Sequence, residues 1–177
     1  MTVVSPEGTP TLGATKVTAV VSIADEEAPS LASEISAATS VDISCYLYPE
    51  GWAPDATTQR GQKKARLCSK TTIEALNRTN YTFGNLQYVH DPQAADSAPG
   101  NEARELLQDG MIVHLLERQG PDAEDVDWAA TQHSISHKVK LGPQIRSGDR
   151  TDDNGEFFIT QALMYIGAGP VPGVVVA

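Results

Sequence analysis

The chain has 177 residues, 23 acidic against 13 basic side chains for a formal net charge of -10, 40% hydrophobic and 6% aromatic residues, and two cysteines. A chain of this length and apolar content buries about 70% of its unfolded surface, which fits one compact domain and excludes a disordered linker. A pI near 4.7 argues against general nucleic-acid binding, because phosphate contacts come from Lys and Arg.

Two further classes fall away. The longest uncharged apolar stretch, Ile166 to Ala177, is broken by Gly167, Gly169, Pro170, Pro172 and Gly173 and is well short of the roughly 20 residues of a membrane helix. The start of the chain, from Met1 to Gly8, has no basic segment followed by an apolar one, so no secretory signal is expected and the compartment is taken as reducing. Cys45 and Cys68 then read as small buried hydrophobes rather than as a disulfide, and two cysteines are too few for a zinc site without histidine.

In chain order, residues 1–14 are rich in Thr, Pro and Gly without a period, and read as an extended arm. Lys16 to Ile23 reads as a strand, and Pro29 to Ala38 as a short helix with Leu31, Ala32, Ile35 and Ala38 at helical spacing. Val41 to Tyr48 alternates, with Val41, Ile43, Cys45 and Leu47 on one side, which predicts a half-buried strand. Pro49 to Gln62 contains Trp52 and no period, and reads as a long loop with a role of its own. Arg66 to Leu76 and Phe83 to His90 read as two strands joined by a turn at Asn77 to Asn80, followed by a loop from Asp91 to Gly100. Asn101 is a candidate cap for a helix carrying Ala103, Leu106 and Leu107, ended by Gly110. Met111 to Arg118, His133 to Leu141 and Glu156 to Ile166 complete the expected strands. The fold class that follows is mainly β, an antiparallel β-sandwich or partly closed barrel with one or two short flanking α-helices. The domain spans residues 15–166, and residues 167–177 form an extended C-terminal tail.

Motifs for chemistry are scarce. His133 and His137 share a strand face with Ile135 and Val139, lack a third ligand, and read as packed or exposed side chains rather than a metal site. Arg150 to Gly155 superficially matches a calcium loop, but aligning Gly155 with the loop glycine puts Arg150 and Gln161 where carboxylates belong. The same letters suit a polar hairpin tip. Asn77 and Asn80 each meet the Asn-x-Thr glycosylation pattern, which is frequent by chance and requires a secretory route. There is no Gly-x-Ser-x-Gly elbow, no cysteine near a histidine in sequence, and no Gly-rich phosphate cradle. Neither a metal nor a cofactor is implied, and no residue reads as catalytic. The carboxylates from Asp122 to Asp127 sit side by side in one loop, unlike the opposed pair of a glycoside hydrolase.

Charge placement carries more. From Ala56 to Ile73 there is no acidic residue, while Arg60, Lys63, Lys64, Arg66 and Lys70 cluster. Asp122, Glu124, Asp125 and Asp127 crowd a second segment. One molecule thus carries two complementary patches, which act either as solvated loops or as contacts between copies. The strands Met111 to Arg118 and Glu156 to Ile166 also hold more apolar surface than one small core needs, so a neighbour is expected over the excess.

An ordered series of segments resembles the major tail tube proteins of long-tailed phages, particularly those infecting actinobacteria. The segments are Ile23-Ala24-Asp25 with Ala28-Pro29 and Leu31-Ala32 through Ile35; Asp42-Ile43-Ser44-Cys45-Tyr46; Gly51-Trp52; Arg66-Leu67-Cys68-Ser69; Tyr88-Val89-His90-Asp91-Pro92; and Leu107-Gln108-Asp109-Gly110. After Gly120 only the strand pattern and Val174 to Val176 continue the likeness. The resemblance implies a non-enzymatic virion protein that forms hexameric rings stacked into a hollow tube, with strands of every subunit in an inner barrel. It also implies tape measure, tail terminator and distal tail proteins as partners, assembly in the bacterial cytoplasm, and DNA leaving through the lumen without specific binding. In such proteins a long loop between two early strands touches the next ring. That maps onto Tyr48 to Lys64, so Tyr48, Trp52, Arg60, Lys63, Lys64 and Arg66 become contact candidates, with Asp122, Glu124, Asp125 and Asp127 opposite. The alternatives are another phage ring protein, a tail terminator or head completion protein, and a monomeric β-sandwich that binds a small ligand.

Overall fold

The computed structural model describes residues 11, 13–63, 67–68, 74–95, 98, 100–151 and 155–177. Nine strands appear among them: β1 (Thr15–Val20), β2 (Ser40–Asp42), β3 (Pro54–Gln62), β4 (Glu74–Phe83), β5 (Leu86–Val89), β6 (Ile112–Gln119), β7 (His133–Gly148), β8 (Phe157–Tyr165) and β9 (Val171–Val174). The one α-helix among the described residues, α1, is Glu102–Leu106, and Leu31–Ile35 makes a single wide helical turn. The architecture is mainly β, as the sequence pattern indicates, with a curled antiparallel sheet and short flanking helices.

Seven strands form the main sheet, in the order β2-β1-β6-β7-β8-β5, with β9 also on β7. Strand β7 is the spine. Its first half pairs with β6 (Ile112↔Lys140 through Glu117↔Ile135) and its second half with β8, across a bulge between Leu141 and Gln144. β9 joins its start, His133↔Val174 to Ser136↔Val171. Alternation along β6 and β7 sorts side chains to two faces. Val113, Leu115, Val139 and Leu141 face one core with Val17, Ala19, Leu86, Tyr88 and Ile159. Val20 and Leu116 face a second, smaller cluster with Ile35 and Val175. Because both faces are covered over this stretch, β6 reads as a continuous apolar run rather than an alternating one.

Four sequence expectations are corrected. The strand expected over Val41 to Tyr48 ends at Asp42. There the Asp42 carboxylate accepts the Ser44 N–H (3.0 Å) and hydroxyl, and Ser44 Oγ takes the Val17 N–H (2.8 Å). These side-chain bonds replace ladder bonds and turn the chain into a tight helical turn at Ser44–Tyr46. Cys45 is consequently exposed, and so is Cys68, so neither belongs to the core.

The expected loop over Pro49 to Gln62 is a strand from Pro54 onward, and the expected turn at Asn77 to Asn80 lies inside β4. Strands β3 and β4 form a separate two-stranded hairpin, in register from Pro54↔Phe83 to Gln62↔Glu74 with one bulge between Thr58 and Arg60. Nearly all of its residues are exposed on both faces. A ribbon with no buried face has no hydrophobic alternation, which is why the pattern was silent. Its cross-strand partners are polar instead, Thr58 and Thr79 sharing a hydrogen bond of 3.0 Å. Of the expected strand from Arg66 to Leu76, residues 66 and 69–73 lie outside the described residues.

Candidate assembly interface

The hairpin is held at its base. Phe83 packs edge-on against Trp52 (5.0 Å between centroids), and both rings meet His137 at 5.8 and 5.5 Å. Tyr81 meets Tyr165 at 6.3 Å, and its ring fills the space that a Cβ at Gly169 would need, a position that also has a left-handed backbone (φ +103°). Beyond this aromatic base the ribbon carries Arg60 and Lys63, both exposed, toward its far end. Lys64 and Arg66 lie outside the described residues.

Behind the aromatic base sits a buried polar network. Tyr165 Oη is 2.7 Å from His137 Nδ1, and His137 Nε2 is 3.0 Å from Glu117 Oε2, with both His137 and Glu117 about 4% exposed or less. Gln119 donates to the other Glu117 oxygen. Burial pushes the Glu117 carboxyl upward, but the hydrogen bonds from His137 and Gln119 outweigh it and hold the group below its ordinary value. Burial, with Glu117 nearby, pushes the Tyr165 phenol up to about 12. The network is enclosed, so its geometry serves packing and orientation of the hairpin base.

The acidic segment is not a free loop. Two cations buried in the sheet hold its backbone. Arg118, 1% exposed, donates to the carbonyls of Asp127 and Asp122, each at 2.9 Å, and its guanidinium lies 5.7 Å from the Trp128 ring. Lys16, 3% exposed, donates to the Ala123 carbonyl (3.2 Å) and pairs with Asp42 (3.0 Å) and Asp127 (3.1 Å). Desolvation pulls the Lys16 pKa down, and the two carboxylates more than reverse it. Asp122 caps the turn through the N–H groups of Glu124 (2.9 Å) and Asp125 (3.2 Å). The carboxylates of Glu124 and Asp125 are left facing solvent on a fixed scaffold. Sequence reasoning passed over Lys16 and Arg118, although a lone cation inside an apolar strand is a signal of this kind.

Four of the ten contact candidates come together. Tyr48, Trp52, Asp122 and Glu124 line one open groove of about 630 Å³, floored by Thr15 and Val17. Tyr48 is anchored there edge-on against Phe158 (5.8 Å), and its hydroxyl donates to Glu156 (2.7 Å). Burial first and Glu156 second push its pKa up to about 12. Asp125 and Asp127 stand on the same acidic segment, whereas Arg60 and Lys63 are on the hairpin. No cluster of metal-binding side chains occurs among the described residues, and no described helix is long and apolar enough to cross a membrane.

The family model described as phage tail tube protein matches residues 3–177, and the chain belongs to that family. A solved structure described as the cryo-EM structure of the anti-feeding prophage baseplate, 6-fold symmetrised, is similar over 97% of each chain, at 9% identity and a TM-score of 0.48. Comparison with curated proteins returned no match.

Proposed function

We propose that this protein builds the tail tube of a long-tailed phage of the type that infects actinobacteria, as hexameric rings stacked around a lumen that conducts viral DNA. The observation that carries the reading is the β3–β4 hairpin, which is long, exposed on both faces and rigid at its base in a chain of the tail tube family. A two-stranded ribbon alone is marginally stable in water, so its length makes sense when a neighbouring ring covers it. Within a ring, edge strands of the curled sheet supply pairing between copies. The exposed side chains Ile112, Met164 and Ile145, on the face of the sheet away from the larger core, are the apolar surface left for a neighbour. Residues 1–14 serve as an arm that fastens neighbours, whereas residues 167–177, expected as a second arm, pair through β9 with β7 and bury Val175 within the subunit. Net charge -10 suits the lumen, since an acidic wall makes few of the phosphate contacts that would brake a sliding duplex. The protein acts without catalysis, assembles in the bacterial cytoplasm, and ends in the virion tail beside tape measure, terminator and distal tail proteins.

Immunogold labelling of purified virions with antibody to this chain tests the reading. Label along the whole tail is the expected result. Label confined to the head–tail joint would assign it to a terminator or head completion ring, and absence from virions would reopen the reading of a monomeric ligand-binding β-sandwich.

A further inference from the structure

The register of β5, β8 and β7 places three residues on one face at the end of the sheet remote from the hairpin base. Arg146 stands opposite Ile159, Gly148 opposite Phe157, and the His90 N–H bonds the Phe157 carbonyl at 2.9 Å. They border a hollow of about 540 Å³ together with Pro92, Ser147 and Arg150. Gly148 keeps it open, because a Cβ there would meet the Phe157 ring at 2.9 Å.

His90 is 3% exposed, and its tautomer is settled by Asn101. The Asn101 amide nitrogen donates to the carbonyls of Asp91, Ala94 and Ala95 at 3.0 to 3.3 Å, which turns its oxygen toward the Asp91 N–H (3.1 Å) and His90 Nδ1 (3.0 Å). His90 Nδ1 therefore donates, and Nε2 is the free nitrogen. Nε2 is buried with no hydrogen-bond partner in a histidine that borders this hollow. Arg146 and Arg150 border the same hollow with exposed guanidiniums that make no ion pair or hydrogen bond among the described residues. A buried nitrogen without a partner is costly unless something completes it, and the two exposed guanidiniums at the same hollow supply the charge that would hold an anion there.

The geometry points to an oxyanion site at His90, Arg146 and Arg150. Two guanidinium forks grip a planar or tetrahedral oxyanion, and a proton taken up from solvent at Nε2 lets the imidazolium donate a third contact while Nδ1 stays on Asn101. The hollow exceeds the volume of a free phosphate, so it also admits a carboxylate presented by a second copy of this chain. The shared chemistry is the oxyanion, and the site stands whether or not the protein forms tubes.

The test is a titration of unassembled, 15N-labelled protein with inorganic phosphate, matched in ionic strength with sodium chloride, following the His90 imidazole nitrogens. Saturable movement of Nε2 from the unprotonated to the imidazolium position is the expected result. Arg146→Gln with Arg150→Gln weakens phosphate binding about tenfold or more without moving amide signals elsewhere in the sheet. A His90 resonance indifferent to phosphate, or a double variant that binds as tightly as the parent, would overturn the site. The same spectrum of assembled protein in phosphate-free buffer assigns the source. An imidazolium already present means a carboxylate from a neighbouring copy, and one that forms only when phosphate is added means a free ion.

Discussion

Replacing Lys63 and Lys64 by glutamate yields rings that no longer stack, from a subunit that folds as before. Lys63 is exposed where β3 ends, and the hairpin meets the rest of the subunit through the aromatic contacts at its base. Substitutions at such exposed positions usually change stability by about 0.5 kcal/mol or less. Across a ring junction the effect multiplies. If the hairpin meets Asp122, Glu124 and Asp125 of the next ring, each attractive pair at roughly 0.5 kcal/mol becomes a repulsion of similar size. Repetition by every subunit then brings the change to several kcal/mol per junction. Tube length in negative-stain images measures it, and a compensating Glu124→Lys with Asp125→Lys restores stacking. The parent tubes also shorten as salt is raised, because exposed pairs are screened within about 8 Å at physiological ionic strength. Tubes of unchanged length in the double glutamate variant would show that the hairpin does not make this contact.

Glu117→Ala lowers the stability of the unassembled subunit by about 3–5 kcal/mol, a fall in Tm of roughly 10 °C for a domain of this size. The substitution strands His137 beside Tyr165 and removes the acceptor for Gln119 in an enclosed site. The pH dependence identifies the cause. The folded Glu117 carboxyl titrates below its ordinary value of 4.5, so its contribution is fully present above that value and is lost as pH falls through the folded pKa. Thermal unfolding from pH 7 downward therefore shows a gap between parent and Glu117→Ala that is constant at neutral pH and narrows as pH falls below 4.5. A gap that stays constant to the lowest pH would mean that Glu117 acts through packing and not through its charge.

The main sheet was legible wherever one of its faces is buried. In His133 to Leu141 the alternation marks the half where Val139 and Leu141 enter the core and Lys140 faces solvent, while nearer the start Ser134 and Ser136 are buried and His133 is exposed; β7 then runs on to Gly148. The run from Met111 to Arg118 is apolar on both faces because β6 lies between two clusters. Legibility failed where hydrogen bonding rather than burial decides the conformation. The alternation of Val41 to Tyr48 fits a strand, yet the Asp42 and Ser44 side chains divert the backbone. The β3–β4 ribbon buries neither face, so no period marks it, and Asn77 to Asn80 looked like a turn by residue type alone. For the interface, charge counting singled out two segments, of which Lys64, Arg66 and Lys70 lie outside the described residues; Tyr48, Trp52, Asp122 and Glu124 line one groove. What charge counting missed are the buried groups that orient them. Glu117 and Arg118 are neighbours on β6, but the groups they hold and the partners Lys16 and His137 come from distant parts of the chain, and no local spacing relates them.

Electron microscopy of the purified protein over rising concentration, alone and seeded with isolated phage tail tips, tests the central claim most directly. Hollow tubes of stacked rings, with six subunits per ring and the β3–β4 hairpin crossing each junction, are the predicted result. A monomer that persists at every concentration, and that adds to no seed, would contradict the account.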